Sequence, residues 1–356
     1  MRGLEGVVVA ETETSMVDGE AGELLIRGWP VGELAGVTSF ERVASLMWTG
    51  ELDPAVDLGP ARVSAFARLD RLGDALALPD AMDALRAAVA QLDGRATALE
   101  LTGAVAVFAA AWSRRARGGE PVAPDPTAAH AADFLRMLRG DAPTTEEARA
   151  LDAYLATVVD HGMNASTFAA RVVASTESDR VSSVVAAIGA LKGRLHGGAP
   201  GPVLDMLDAV GAPEAAEGWV RAELARGERI MGMGHRVYRV RDPRAAVLER
   251  AVEQLEGQAD AARLALARAV ERAAERVLAE DKPGRRIRAN VEFYTAVLLE
   301  ALGIDRALFT PTFACARVVG WSAHYDEQRA SGRLIRPRAR YVGPRPSGPS
   351  SASASA

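Results

Sequence analysis

Three of the five histidines stand beside glycine at breaks in otherwise helical sequence: His161 in DHGMNAST, His196 in LHGGAPG and His235 in MGHRVY. Glycine at such a break lets the backbone turn tightly and lets a ligand approach closely. A histidine held on a turn by rigid flanking helices is better placed for chemistry than one inside a helix. The stretch IMGMGHRVYRVRDPR (230–244) adds charge, because Arg236, Arg239, Arg241 and Arg244 follow His235 within nine residues. Asp242 and Pro243 read as the N-cap and first residue of a helix. That puts Arg244 in a first turn, where free N–H groups and the helix dipole favour an anion. An imidazole beside an anion clamp suits a carboxylate or phosphate substrate; taken alone, the stretch reads equally as a basic surface turn.

The remaining reactive residues point elsewhere. His130 and His324 lie in amphipathic helical stretches without glycine or arginine beside them, which predicts surface or core-edge roles. Cys315, the single cysteine, sits in apolar FACAR and reads as a small core residue; an intrachain disulfide is excluded. The sequence has no HExxH, no cysteine pairing and no histidine pair at i,i+4, so no metal site is expected. Neither a GxGxxG after a strand nor a P-loop is present, so nucleotide-binding signatures are lacking. A net charge of −5 gives no reason to expect a nucleic-acid partner. The N-terminus turns acidic too early for a signal peptide, and the longest apolar run, Leu101 to Trp112, is about half of the ~20 residues that cross a bilayer. The expectation is a cytoplasmic protein with no membrane partner.

The elements that must position these residues are almost all helical. Alanine and leucine are abundant and aromatics make up only 5%, which favours helices packed through small residues over a β-rich core. Residues 4–31 are the exception: GVVVAET and ELLIRGW flank the turn-rich VDGEAG and predict one small hairpin. Ser39 precedes FERVASLMWTG, whose helical spacing stops at Gly50. ARVSAFARLDRLGDALAL and DAMDALRAAVAQL continue in the same style. ALELTGAVAVFAAAWSRRARGG is apolar on nearly every face and predicts the centre of a bundle. GGEPVAPDP (118–126) breaks the pattern and reads as a surface loop within one helical domain rather than a linker. Thr144 or Thr145 with Glu147 can cap the helix that follows. Leu266, Val270, Ala273 and Val277 form one apolar stripe, the last helix runs from about Pro311 to Arg329, and SGPSSASASA ends the chain as a low-complexity tail.

Taken in order, GLEGVVVAET, DHGMNAST, LHGGA, GMGHRVYRVRDPR, NVEFYTA, TPTFACARVVGW and RLIRPRARYVG resemble the citrate synthase family over residues 3 to 343. The resemblance implies an all-α, two-domain helical fold with a small N-terminal β-hairpin. It implies a large domain from 1–197 and 304–345, a small domain from 198–303 and a disordered tail at 346–356. The implied activity is condensation of acetyl-CoA with oxaloacetate and hydrolysis of the citryl thioester, or the 2-methylcitrate reaction with propionyl-CoA. A catalytically weak paralogue that binds acyl-CoA or oxaloacetate is the reading of a different class. No tightly bound cofactor is implied, since the coenzyme A thioester is a substrate.

By the same resemblance His196 corresponds to the histidine that stabilises the enol or enolate of the thioester, and His235 to the one that polarises the oxaloacetate ketone. Arg244, Arg317 and Arg336 resemble the clamp on the substrate carboxylates; the last reaches in from a neighbouring subunit, which implies a homodimer. His161 resembles a further oxaloacetate-binding residue and Asn164 an orderer of its loop. Arg239 matches a position that meets coenzyme A phosphate, while Lys192 and the Arg285–Arg288 group are unassigned candidates for other such contacts. Glu292 is the departure: the family's base is most familiar as aspartate in an NVDFY-like motif. Its extra methylene carries the carboxylate about 1.5 Å further. Asn290 as a cap would lower the pKa of Glu292 and burial would raise it, and the sequence leaves that contest open.

Overall fold

The computed structural model describes residues 3, 4 and 6–344, apart from 198–199, 235–237, 256–260, 282–283 and 285–286. His235 and the tail 346–356 therefore lie outside the described residues.

The expected hairpin is present but begins later and carries an extra strand. β1 (Ser15–Asp18), β2 (Glu23–Ile26) and β3 (Trp29–Pro30) pair antiparallel in the order β1-β2-β3. Asp18 Oδ1 accepts the N–H groups of Glu20 and Ala21, each at 2.9 Å, and so closes the turn directly behind β1. Pairing then runs from Asp18↔Glu23 back to Ser15↔Ile26 and stops there. The GVVVAET run has no place in that ladder, and Val7 and Val8 are exposed.

The rest is helical. The chain continues through α1 (Val31–Leu34), α2 (Phe40–Thr49), α3 (Gly59–Phe66), α4 (Ala81–Val89), α5 (Ala98–Ala116), α6 (His130–Arg139), α7 (Thr145–Val158) and α8 (Ala165–Ala174). It goes on through α9 (Arg180–Leu191), α10 (Pro200–Val210), α11 (Ala216–Ala225), α12 (Pro243–Glu253), α13 (Ala261–Asp281), α14 (Val291–Ala301) and α15 (Phe309–Ser331). Local chemistry sets many of the boundaries. Ser39 accepts from Arg42 N, and Gly50 ends α2 in the left-handed region at φ 85°. Thr97 with Glu100, and Thr144 with Glu147, form reciprocal capping boxes on α5 and α7. ARVSAFARLDRLGDALAL does not continue as one helix: α3 gives way to two 3-10 turns, and Gly73, which opens the second, has φ 51°.

Helix α5 is the expected centre, buried from Leu101 to Ser113 and packed on α3, α4, α6 and α15. Since α5 and α6 pack on each other, the 118–126 break is a loop within one packed unit. Helix α15 lies against α5, α7, α8 and α9, while α12 joins α14 to α7. None of the helices among the described residues is long and apolar enough to cross a membrane.

Two expectations need correction. His130 and His324 are not at the surface or the core edge; both are fully buried. His130 stacks on Phe40 and lies 3.3 Å from Arg62, and burial together with that guanidinium holds it down at about 3. His324 spans Asp160 (Nε2, 3.2 Å) and Arg171 (Nδ1, 3.0 Å). The partners that make burial tolerable come from distant segments, so the local pattern carried no sign of them.

Gly320 is where α15 meets the chain end of α7. A Cβ there would lie 2.8 Å from Asp160 Oδ1 and closer still to Val159 O. Gly320→Ala is therefore expected to lower unfolding stability by about 1–3 kcal/mol in a denaturant titration; an unchanged midpoint would show that α15 has room to move.

Candidate functional site

The site is assembled where the loops before α8, α10, α12 and α14 meet the middle of α15. Asn164 caps α8: its Oδ1 accepts Ser166 N and Thr167 N, both at 3.1 Å, and its Nδ2 donates to Gly162 O at 3.2 Å and Thr167 Oγ1 at 3.0 Å. The loop so fixed carries His161, whose Nε2 lies 3.1 Å from the Tyr238 hydroxyl. Beneath it Asp160 is fully buried, with Ser15 donating to its Oδ2. Burial opposes ionisation of Asp160, but His324, Arg317 and Ser15 together hold its pKa below the usual carboxylate range.

His196 follows α9. Its backbone N–H donates to Gly193 O at 2.8 Å, its Nε2 lies 2.8 Å from Ser166 Oγ, and its ring stands edge-on to Phe313. Burial, with Arg317 adding repulsion, pushes the imidazole down to about 4. At neutral pH it is an uncharged ring that can give a hydrogen bond.

The glycine-broken loop is tied to the base of α14. Met233 and Ala289 form an antiparallel bridge, Gly234 N donates to Arg288 O at 2.7 Å, and Asn290 N donates to Gly232 O at 2.9 Å. Asn290 Nδ2 also donates to Gly234 O at 2.7 Å. Gly232 is required here, because it has φ 70° and a Cβ would stand 2.9 Å from Phe293 Cβ. The residue preceding His235 in the chain is thus bonded to the cap of the helix that carries Glu292.

Asp242 caps α12 as expected, and it does more. Its carboxylate takes Arg244 N at 3.0 Å and a fork from Arg244 (Nε 3.0 Å, Nη2 2.8 Å), and it also accepts Val291 N at 3.2 Å. One buried carboxylate thereby joins the first turns of α12 and α14. Burial opposes the charge on Arg244, yet Asp242 raises its pKa above the ordinary guanidinium value. Arg317, on α15, donates from Nε to Val158 O at 2.7 Å and lies 4.6 Å over the Phe313 ring. Burial lowers Arg317 to about 10, with Arg244 pushing the same way.

Glu292 sits in the first turn of α14, its N–H capped by Asn290 Oδ1 at 2.9 Å. Burial wins the contest left open by the sequence and lifts the acid to about 7, against the pull of Arg244 and Arg317. Glu292, Arg244, Arg317 and His196 therefore form one electrostatically linked centre, with His161 and Asn164 beside it. Ser166, Tyr238, Asp160 and Trp321 are its further members, and sequence reasoning missed them. For Ser166, its place two residues after the cap Asn164 was the one local hint, since that sets it at N2 of α8.

Other expected residues stand apart. Arg336 is exposed beyond α15 and makes no hydrogen bond or ion pair among the described residues. Arg239 points outward, 3.8 Å from Glu20, while its backbone N–H donates to Gly19 O at 2.8 Å. Lys192 is paired with Asp80 and Asp83, and Arg288 with Glu275; Arg285 and Arg286 lie outside the described residues. Among the described residues no cluster of His, Cys, Asp and Glu could hold a metal. Cys315 is a buried core residue, as expected.

The family model for the citrate synthase C-terminal domain matches residues 3–338. This chain belongs to the citrate synthase family. A 2-methylcitrate synthase of Mycobacterium tuberculosis is 41% identical over 96% of this chain and 90% of its own length. A citrate synthase of Haloferax volcanii is 39% identical over 96% of this chain and 95% of its own. Among solved structures, the Thermotoga maritima citrate synthase superposes with a TM-score of 0.82 at 36% identity, over 96% of both chains. The Thermoplasma acidophilum citrate synthase, solved as a ternary complex with carboxymethyl coenzyme A and oxaloacetate, superposes with a TM-score of 0.87 at 29% identity, over 97% of this chain and 96% of that one. The all-α fold and the transferase class follow from that membership.

The raised acid has a stability consequence. Glu292 in the folded chain keeps its proton up to about 7, whereas an unfolded glutamate loses it near 4.3. Ionisation therefore costs folded-state stability as pH rises from about 4.3 to 7, and the whole cost is present above that window. Glu292→Gln is expected to be more stable than the parent at pH 8, on the order of 1–3 kcal/mol, with the gap closing below pH 4.5. An equal difference at both pH values would place Glu292 in a solvated setting.

Proposed function

We propose that this chain condenses acetyl-CoA with oxaloacetate and hydrolyses the product thioester, releasing citrate and coenzyme A. The observation that carries the reading is the pairing of a partly buried acid tuned to about 7 with a neutral, partly buried imidazole, beside two buried guanidinium groups. Glu292 takes the proton from the thioester methyl group, and His196 donates to the enolate oxygen. The enolate carbon bonds to the oxaloacetate ketone carbon, and His235 donates to the oxygen that becomes the alkoxide. Water then cleaves the thioester, and the thiol leaves with a proton. Donors fixed in place before charge develops are worth several kcal/mol each in such a step. Arg244, Arg317 and His161 hold the oxaloacetate carboxylates, Asn164 orders the His161 loop, and Arg239 meets coenzyme A phosphate.

The acyl chain is the second question. Likeness to a relative named 2-methylcitrate synthase supports propionyl-CoA as an alternative substrate for this chain. One methylene is worth only about 1–3 kcal/mol in an apolar pocket, so one site can serve both. The proposed partition has a large domain of 1–197 and 304–345 and a small one of 198–303. It is supported by α11 packing on α13, and by α10 and α12 packing on α14. His196 and Glu292 then flank the two junctions, and closure would exclude water from the thioester. The proposed assembly is a cytoplasmic homodimer, which gives exposed Arg336 a site to serve in the neighbouring subunit.

Thiol release on mixing protein and oxaloacetate with acetyl-CoA or propionyl-CoA tests the reading. Release above the no-oxaloacetate control is expected with both, and the ratio names the preferred substrate; silence with both sinks the proposal. Only the Glu292 carboxylate accepts the proton, so kcat/KM should fall as pH drops through about 7. Glu292→Gln should lose about 10²–10⁴-fold in kcat.

Subunit sharing has its own test. Arg336→Ala and Glu292→Gln chains, each inactive alone, should regain activity when unfolded together and refolded. In a C2 dimer about a quarter of all sites would then hold both native residues. No recovery, from chains that do form mixed dimers, would return Arg336 to its own subunit or to the surface.

A further inference from the structure

We propose that Trp321 is a positioning residue that sets which nitrogen of His196 carries the proton; the proposal rests on the role given above to His196. The protons and lone pairs around one hydroxyl, that of Ser166, decide the matter. Ser166 Oγ meets three groups: Trp321 Nε1 at 3.1 Å, Asn164 Oδ1 at 2.8 Å and His196 Nε2 at 2.8 Å. Ser166 and Trp321 are both fully buried, so water does not compete for these bonds.

Two of the three partners have fixed roles. The indole N–H can only donate, and it occupies one of the two lone pairs on Ser166 Oγ. Asn164 Oδ1 can only accept, and the amide orientation is set by the bonds its Nδ2 makes to Gly162 O and Thr167 Oγ1. His196 is the ambivalent partner. Either Ser166 gives its proton to Nε2, which leaves the histidine proton on Nδ1, or Ser166 gives it to Asn164 and accepts from Nε2–H, which leaves Nδ1 bare.

Two effects favour the first arrangement. Asn164 Oδ1 already receives two backbone N–H groups, so a third donor adds little there. The indole N–H also polarises the hydroxyl into which it donates and strengthens the bond that hydroxyl gives. Trp321 thereby leaves Nδ1 protonated, and that nitrogen is the one not engaged by Ser166. An enolate oxygen needs a donor at this place, and the other tautomer would present a lone pair to it. Without the indole N–H, Ser166 has a second lone pair open, and Nε2–H becomes its natural occupant.

The experiment compares the parent chain with Trp321→Phe, Ser166→Ala and the double variant. Trp321→Phe keeps an apolar ring and removes the N–H. Ring-nitrogen ¹⁵N shifts of His196, recognised among the five histidines by loss of its signals in His196→Gln, report the tautomer without any need for turnover. The parent should carry the proton on Nδ1 and Trp321→Phe should shift population to Nε2. The kcat for thiol release should fall about threefold to tenfold, the effect of one buried hydrogen bond, with KM for oxaloacetate unchanged. In the Ser166→Ala background the same substitution should cost nothing more. A parent already protonated on Nε2, a Trp321→Phe chain with the parent's tautomer and kcat, or losses that multiply in the double variant would each overturn the proposal. Should Trp321→Phe lose its fold, site-specific β-(3-benzothienyl)alanine keeps the bicyclic shape without the N–H and gives the same readouts. A parent that binds oxaloacetate but releases no thiol overturns the condensing-enzyme reading, while the tautomer comparison still decides the role of Trp321.

Discussion

Burying two guanidinium groups in one helical core is the constraint around which the rest of the site is arranged. Arg244 and Arg317 are both removed from water, and an unpaired buried charge is costly. Arg244 is compensated by the Asp242 fork, which its raised pKa reflects. Arg317 has a backbone carbonyl, an aromatic face and a more distant carboxylate in Asp160, and its pKa is depressed. Glu292 does little to restore the balance, because burial keeps it largely protonated up to about 7. Arg317, whose nearest carboxylate acts only at a distance, leaves a local surplus of positive charge in a setting where charge is expensive. On the proposed reading a dianionic substrate removes that surplus, and its binding also weakens the pull of both arginines on Glu292, making the acid a stronger base once the substrate is in place.

The same economy of contacts links distant segments. Asp242 is at once the cap of α12, the partner of Arg244 and the acceptor for Val291 N, so a single carboxylate fixes the spacing between an arginine of the clamp and the helix that bears Glu292. Asn290 closes the other side by bonding Gly234 O and capping Glu292 N. Asn164 and Ser166 do the corresponding work at α8, ordering the His161 loop and touching His196. Each of these residues acts through short side-chain bonds at a helix start, where backbone N–H groups lack partners within the helix.

That pattern explains what the sequence disclosed. The caps at Ser39, Thr97, Thr144, Asn164, Asp242 and Asn290 involve partners two or three residues away, so helix starts could be read from local spacing. The apolar run of α5 announced its own burial. Contacts between Ser166 and Trp321, or between Asp160 and both Ser15 and His324, join positions more than a hundred residues apart. No local periodicity encodes them, which is why His130 and His324 were expected nearer the surface than they lie. The first strand was misplaced for a related reason: β-branched GVVVAET looked like a strand, but the Asp18 turn decided which residues paired. Residue types at the site came from family likeness, and their environments came only from the fold. The outcome for Glu292, where the cap and burial opposed each other, depended on neighbours contributed by α12 and α15.

The extra methylene of Glu292 bears on how the site is built. Two side chains hold successive N–H groups at the start of α14: Asp242 takes Val291 N and Asn290 takes Glu292 N. On the next residue, Phe293 packs against Gly232 so closely that even a methyl group has no room between them. The backbone of that turn is therefore pinned from two sides, and it has little freedom to retreat and absorb the longer side chain. The added length must be taken up by the rotamer of Glu292 itself or by the opposite wall of the cavity. A rotamer change is cheap, whereas unpinning the turn would break the bonds that also hold Arg244 and the Gly234 loop. The adjustment therefore falls to the side chain, which leaves the surrounding frame free to hold the clamp and the donors where the chemistry needs them.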